Sequence, residues 1–251
     1  MRRQPAGRLR PSSVVIESAY LTDLPWPQVE GRAARIILVI PVGATEQHGP
    51  HLPLSTDTDT DIALPLCERL AATRSDVLIA PAVAYGSSGE HAGLAGTLSI
   101  GQDATELLLV ELGRSACDTF ARLLFVLAHG GNAIPAARAV QRLCGEGREV
   151  RVYAPHWDEH PHAGRPETSM ALAVRPERVR MECAEPGDER DLTDVLAELR
   201  TDAVRAVSAN GVLGDPRGAN AAEGTRCLTR SPLNSHASWT IGCHRSVPSP
   251  A

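Results

Sequence analysis

The stretch "RIILVIPVG", residues 35–43, is an almost entirely apolar run of strand length that ends at a glycine. A short apolar run bounded by turn residues is typical of a strand that is buried on both faces. Three similar runs follow it along the chain: "DVLIAPAVAYG" (76–86), "LLFVLA" (123–128) and "EVRVYAP" (149–155). We predict that these four segments are the strands of one sheet.

Segments with helical periodicity separate these runs: "DTDIALPLCERLAATR" (59–74), "DATELLLVELGRSACDTFA" (103–121) and "AIPAARAVQRLCGEG" (133–147). Strands that alternate with helices predict an α/β fold, with helices on both faces of a mainly parallel central sheet. The 251 residues suffice for one domain with a full core. We place this domain at residues 35–227, after an N-terminal tail and lead-in at 1–34. A C-terminal tail at 228–251 has no pattern that indicates its structure.

The composition excludes several classes of protein. Hydrophobic residues make up 43% of the chain but aromatic residues only 3%, which predicts an aliphatic core. The net charge of -5 does not favour a nucleic-acid partner, and no apolar run approaches the roughly 20 residues of a membrane span. The six cysteines form no C-x-x-C pair, so neither a zinc knuckle nor a disulfide framework is indicated, and we expect a reduced, cytoplasmic location.

Polar clusters follow three of the predicted strands. They are "GATEQHGPHLPLSTDTDTD" (43–61), "HGGN" (129–132) and "WDEHPHAGRPETS" (157–169). In open sheets of this class, functional sites lie beyond the carboxyl ends of the strands. The coincidence of three such clusters therefore predicts one active site, although each cluster alone would be weak evidence.

The clusters contain groups that bind metals. In an extended segment Glu46 and His48 share a face, and the other candidates are Asp57, His129 and Glu167. Three carboxylates and two imidazoles suit one or two Zn²⁺, Mn²⁺ or Fe²⁺ ions. The residues also allow other interpretations: a lone histidine is more often a hydrogen-bonded loop residue, and Gly130 and Gly131 can simply permit a tight turn.

Other polar side chains in the same segments have simpler interpretations. We expect Asp59 and Asp61 to stabilise the positive N-terminal end of a helix rather than to bind a metal. We expect His51 and His91 to be supporting or structural residues.

The chain resembles the creatininase family in five motifs that occur in the family's order. They are "VGATEQHGPHLPLSTD" (42–57), "GSSGEHAGLAGTLSI" (86–100), "HGGN" (129–132), "HAGRPETSM" (162–170) and "GVLGDPRGANAAEG" (211–224). The later motifs are most similar to a branch that trims the mycofactocin precursor peptide. This chain differs from the usual motifs at Leu127, where asparagine is common, and in "GLAGT" (93–97), where "GFPGT" is common.

The resemblance implies a homo-oligomeric, hexamer-like, metal-dependent amidohydrolase with a three-layer α/β/α fold. The implied cofactor is a divalent metal, two ions per subunit, on Glu46, His48, a bridging Asp57, His129 and a further carboxylate. Creatininases proper carry that last acid at the position of Gly131, so we assign its role to Glu167.

The expected reaction is attack on an amide carbon by a metal-activated hydroxide, with His162 and Glu167 as catalytic residues. The resemblance implies that His162 handles protons, and we assign it the protonation of the leaving nitrogen. We expect the peptide backbone near Gly130, Gly131 and Asn132 to contact substrate.

The expected substrate is a small ribosomally made precursor peptide that loses a C-terminal fragment. Arg165 is the candidate for binding its free carboxylate, unless Arg165 pairs with a nearby acid such as Asp158 or Glu159. Two alternatives stay open: hydrolysis of a small molecule such as creatinine or a formamide, and a catalytically silent scaffold that only binds the peptide.

Overall fold

The structure is a computed structural model that describes residues 18–54, 57–155, 162–230 and 241–242. Its centre is a five-stranded sheet with the order β2-β1-β3-β4-β5. The strands are β1 (Ile37–Val42), β2 (Val77–Ile79), β3 (Arg122–Leu127), β4 (Val150–Tyr153) and β5 (Ile241–Gly242). The first four pair in parallel and β5 is antiparallel to β4. The prediction of a mainly parallel sheet is confirmed.

Seven α-helices accompany the sheet in the described ranges. They are α1 (Trp26–Glu30), α2 (Asp57–Thr73), α3 (Gly101–Cys117), α4 (Ala133–Gly145), α5 (Arg165–Val174), α6 (Leu192–Val207) and α7 (Ala221–Arg230). Short 3-10 turns at Gly89–His91 and Gly130–Asn132 connect the strands to the helices near the carboxyl edge of the sheet.

Alternate residues of each strand enter two separate cores. On one face Leu38 and Phe125 pack in a cluster with Val140 of α4 and residues of α3. On the other face Val39 and Leu124 share a cluster with residues of α2, α5 and α7. Helices therefore cover both faces, and the three-layer α/β/α sandwich is confirmed.

The structure refines the bounds that the sequence predicts. The second predicted strand, 76–86, is regular only at Val77–Ile79, because Pro81 has no N–H for the ladder. The chain then follows β1 through single contacts, in which Val83 donates to the Pro41 carbonyl and Gly43 donates to the Val83 carbonyl. The predicted boundary at residue 227 falls inside α7.

The structure also bears on two expectations from the composition, which concern membrane spans and disulfides. None of the described helices is long and apolar enough to cross a membrane. The sequence indicates no disulfide framework; in the structure Cys67, Cys117, Cys183 and Cys227 are free thiols and Cys144 is disulfide-bonded.

Helices α5 and α7 pack closely at Gly224, and this contact generates a stability prediction. A Cβ at Gly224 would lie 1.9 Å from the Ser169 carbonyl oxygen, so Gly224→Ala must push the two helices apart. We expect a net loss of roughly 1–3 kcal/mol in the free energy of unfolding, because overpacking outweighs the gain of about 1 kcal/mol in helix propensity. Urea unfolding measures this change.

The matched control is Gly145→Ala at the end of α4, where an added Cβ meets nothing within 4 Å. We expect this variant to be as stable as the parent or more stable. Equal stability of both variants would show that the α5–α7 contact tolerates a side chain.

Candidate metal centre

The loop after β1 places two predicted ligands in the interior. Residues 43–48 are all buried, and Leu98 donates its N–H to the Thr45 carbonyl, which holds the loop extended. His48 Nδ1 lies 3.1 Å from the Glu46 carbonyl oxygen. A carbonyl only accepts, so Nδ1 carries a proton, and Nε2 of His48, which faces the carboxylates, is the nitrogen that can bind a cation.

The loop after β3 adds His129 in the same way. His129 Nε2 donates to the Ser87 carbonyl at 2.8 Å, so Nδ1, 3.1 Å from Glu46 Oε1, is the nitrogen that carries the lone pair when the ring is neutral. A histidine that donates one ring N–H to a backbone carbonyl and presents the other nitrogen has the usual arrangement of a metal ligand.

Asn132 aligns the loops around this histidine. Its Oδ1 accepts the Ser87 N–H at 2.9 Å and its Nδ2 donates to the Gly43 carbonyl at 2.8 Å. The side chain is fully buried and does not line the cleft, so these bonds do not support the prediction that Asn132 contacts substrate.

The start of α5 positions His162 and Glu167. Glu167 is the third residue of the helix, and its Oε2 accepts the N–H of Ala163, the residue before the N-cap Gly164. Its Oε1 lies 3.4 Å from His48 Nε2. His162 Nε2 lies 2.9 Å from the Gln47 carbonyl and therefore donates to it, which leaves the lone pair on Nδ1. The rest of the predicted third cluster, 157–161, lies outside the described residues.

The first turn of α2 contributes Asp59. This residue is 1% exposed, with Oδ1 3.5 Å from His48 Nε2 and Oδ2 3.9 Å from His129 Nδ1. Asp59 lies at the start of α2, as we expected, but its carboxylate also lies among the candidate ligand atoms. Asp61 instead lies between Arg175 and Arg178 at 3.6 and 3.8 Å. The side chain of Asp57 lies outside the described part of the structure, so its role as a bridging ligand stays a prediction.

Three overlapping groups of buried side chains have ligand atoms within 4.8 Å of one another. The groups are Glu46, His91 and His162; His48, His162 and Glu167; and Glu46, His48 and Asp59. Both oxygens of Glu46, Nε2 of His48 and Oδ2 of Asp59 are buried and make no hydrogen bond. Buried polar atoms without partners are costly, and their convergence fits one or two divalent cations.

The charges of the cluster depend on the neighbours of each group. Burial works against the charged ring of His129, but the Glu46 carboxylate outweighs it and raises the pKa of His129 to about 10. Burial, reinforced by Glu46, raises the pKa of Asp59 to about 6. Burial and the rings of His91 and His48 lower the pKa of His162 to about 3, so His162 is neutral near pH 7.

The family model of the creatininases, described as creatinine amidohydrolase, matches residues 22–231. The chain belongs to the creatininase family. It is 49% identical over 199 residues to the mycofactocin precursor peptide peptidase of Mycobacterium tuberculosis (strain ATCC 25618 / H37Rv), covering 75% of this chain and 78% of that protein. It is 43% identical over 232 residues to the protein of the same name from Mycobacterium ulcerans (strain Agy99), covering 86% and 87%.

Solved creatininases have the same fold. One crystal structure of creatinine amidohydrolase superposes with a TM-score of 0.71 at 23% identity, and covers 85% of this chain and 93% of its own. A structure titled as the manganese form of creatininase gives the same score and identity, with 85% and 94% covered.

The ligand cluster of this creatininase-family chain opens into a cleft of about 690 Å³. Gly130 and Gly131 line it together with Glu90, and Leu199, Val204 and Leu213 form an apolar wall. None of the described lining residues is a lysine or an arginine. A side chain at Gly131 would not fit, because its Cβ would lie 2.1 Å from the Ser87 carbonyl oxygen.

Arg165 has two predicted alternative partners, Asp158 and Glu159, that lie outside the described residues. It pairs with Glu223 through Nη2 and Oε2 at 2.9 Å, and its Nε is 2.9 and 3.1 Å from the two carboxylate oxygens. It is not among the described residues that line the cleft, so its contact with substrate stays a prediction.

The fold brings to the site four residues that sequence reasoning did not name as ligands or catalytic groups. His91 is buried with Nε2 3.3 Å from Glu46 Oε1, and Glu90 Oε1 lies 3.4 Å from His129 Nε2. Gln47 and Asp59 are the other two. The acid–histidine pair at residues 90–91, inside a glycine-rich motif, could have indicated a role for these two residues at the site. It does not directly follow a regular strand, which is the position where we looked for site residues. His51 bonds Thr168 of α5 at 2.8 Å, which fits the supporting role expected for it.

The buried histidines predict how the stability of the metal-free protein depends on pH. Burial lowers the pKa of His51 and His91 to about 4, and that of His162 is about 3. Between about pH 6 and pH 4 the unfolded chain therefore binds three protons that the folded chain does not, whereas the folded chain binds one more at Asp59. Because the unfolded chain takes up more protons than the folded chain in this range, the free energy of unfolding decreases as pH falls, by roughly 1–3 kcal/mol per pH unit.

Urea unfolding of chelator-treated protein across this range measures the slope. His51→Gln is expected to reduce the slope, because it removes one of the three histidines without removing a predicted ligand. A free energy of unfolding that is constant or rises on acidification would contradict the assignment of neutral buried histidines.

Proposed function

We propose that this chain is a metal-dependent peptidase that cleaves a C-terminal fragment from a small ribosomally made precursor peptide in mycofactocin biosynthesis. The observation that carries the hydrolytic chemistry is the convergence of unpaired buried carboxylate and imidazole atoms at the base of an open cleft. The choice of substrate rests on the relatives that are 43–49% identical and are named as peptidases of this precursor.

The ligand set that we propose comprises Glu46, His48, Asp59, His129 and Glu167, with Asp57 as a further candidate. Their carboxylate and imidazole donors suit Zn²⁺, Mn²⁺ or Fe²⁺, and we propose two ions per subunit. When bound, the ions would supply Lewis acidity that lowers the pKa of water and polarises the scissile carbonyl.

His162 is our candidate for proton transfer. Its Nε2 proton is held by the Gln47 carbonyl, so Nδ1, 3.6 Å from Glu46 Oε1, is the atom that can receive a proton. Because burial keeps the pKa of this ring low, a proton received there passes readily to the leaving nitrogen. Gly130 and Gly131 line the cleft without side chains, which supports their proposed role of letting the substrate backbone approach closely.

The function is tested by mass spectrometry of the metal-loaded protein with a synthetic precursor peptide and, in a separate reaction, with creatinine. We expect release of a C-terminal peptide fragment and no creatinine opening. Glu46→Gln should reduce turnover by at least roughly 10²-fold, because it replaces a proposed ligand carboxylate by a neutral amide. The described ion-pair neighbours of this carboxylate are histidines.

Two results would overturn this proposal in different ways. Rapid opening of creatinine with an intact peptide would replace the substrate class but keep the metal chemistry. Tight peptide binding with no cleavage of either substrate would favour the silent scaffold.

The ligand assignment is tested by changing three neighbouring aspartates separately. Asp59→Asn is expected to lose most of the bound metal, because its carboxylate lies between His48 and His129. Asp61→Asn is the matched control: its carboxylate faces arginines instead, so metal content should be unchanged. Asp57→Asn tests the ligand implied by the family resemblance.

Elemental analysis after gel filtration gives the metal content of each variant. Full metal content in Asp59→Asn together with metal loss in Asp57→Asn would show that Asp57 is the ligand and that the position of Asp59 is a feature of the metal-free cluster only.

A further inference from the structure

Gln47 stands between the predicted ligands Glu46 and His48 in the sequence, and its side chain touches three other loops. It is 5% exposed. Its Oε1 accepts the Gly49 N–H at 2.9 Å, which fixes which end of the amide is the oxygen. Its Nε2 then lies 3.0 Å from His91 Nδ1, 3.0 Å from His162 Nε2 and 3.1 Å from the Gly211 carbonyl oxygen.

An amide nitrogen has two protons to donate, so only two of these three neighbours can accept one. His162 Nε2 is excluded, because it already donates its own proton to the Gln47 backbone carbonyl at 2.9 Å. The two protons of Gln47 therefore go to the Gly211 carbonyl and to His91 Nδ1.

Gly211 fits this arrangement independently. Its φ is +77°, and an added Cβ would lie 2.0 Å from Gln47 Oε1. The backbone can approach the amide closely only because this residue has no side chain.

The donation to His91 determines which nitrogen of that ring bears the proton. A nitrogen that accepts a hydrogen bond has no proton of its own, so His91 carries its proton on Nε2. This atom lies 3.3 Å from Glu46 Oε1. His129 Nδ1 and His162 Nδ1 lie 3.1 and 3.6 Å from the same oxygen, and in each ring the other nitrogen donates to a backbone carbonyl.

We propose that Gln47 is a positioning residue that fixes the tautomer of His91, so that His91 directs an N–H rather than a lone pair toward the Glu46 carboxylate and is excluded from the metal ligands. This inference deepens the proposed metal site and rests on it. It separates three histidines that surround one carboxylate oxygen: His129 can bind a cation through Nδ1, Nδ1 of His162 is left for proton transfer, and His91 holds the carboxylate in place.

The experiment reads the tautomer directly. Protein labelled with ¹⁵N-histidine is loaded with ¹¹³Cd²⁺ and studied by long-range ¹H–¹⁵N correlation NMR, and His91→Asn identifies the signals of His91. We expect a proton on Nε2 of His91, a lone pair on Nδ1, and no scalar coupling of either nitrogen to cadmium. A proton on Nδ1, or coupling of Nε2 to cadmium, in the unsubstituted protein would overturn the proposal.

A variant tests whether Gln47 causes this state. Gln47→Glu has the same shape but replaces the donor by an acceptor, so we expect the His91 proton to move to Nδ1. Gln102→Glu makes the same chemical change in the wall of the same cleft and should leave the His91 signals unchanged. An unchanged His91 tautomer in Gln47→Glu would show that Gln47 does not set it.

Metal affinity provides a second readout. Gln47→Met removes both donated hydrogen bonds without adding charge and is expected to weaken Cd²⁺ binding by roughly 10–100-fold, as for other residues that orient ligands. The NMR measurement uses no peptide, so absence of peptide cleavage would not affect it. If no cadmium binds at all, the proposed metal site fails, while the tautomer of His91 in the metal-free protein still decides the role of Gln47.

Discussion

The Glu46 carboxylate is the group on which the rest of the site depends. It is fully buried, and neither oxygen accepts a well-formed hydrogen bond, although three histidine nitrogens lie within 3.6 Å of Oε1. A buried charge without such neighbours would cost several kcal/mol. The fold tolerates it because opposite charge on His129 stabilises the ionised form, which is why burial fails to raise the pKa of Glu46 and the net shift is downward.

That cluster exists because the sheet is parallel. β1, β3 and β4 end at the same edge, and Glu46, His129 and His162, which follow these strands in the sequence, meet there although they lie far apart in the chain. The position of these three residues at one edge is predictable from sequence, because buried parallel strands are continuous apolar runs and the polar residues that follow each run are easily recognised. Asn132, Gln47 and His91 are different: their roles lie in hydrogen bonds between loops, and no periodicity marks those bonds.

The choice between Asp57 and Asp59 shows a second limit. The segment "STDTDTD" repeats an acid at every second position, and two residues along a helix differ by about 200° in direction. Which aspartate faces the core therefore depends on the residue at which α2 begins, and helix starts are the least certain part of a pattern. Burial of Asp59 against His48 is a tertiary contact that local sequence does not encode.

The charge of the cleft also bears on how substrate and metal depend on each other. Glu46, Asp59, Glu90 and Glu167 line it, whereas the described lining residues include no lysine or arginine, and Arg165 is already paired with Glu223. Without cations this surface repels a peptide carboxylate and binds a carbonyl oxygen weakly. Bound metal ions reverse that field, so the same ions that activate the reaction also make the cleft attractive to the oxygen atoms of a peptide. Substrate affinity should then rise with metal occupancy, because both depend on neutralising the same buried carboxylates.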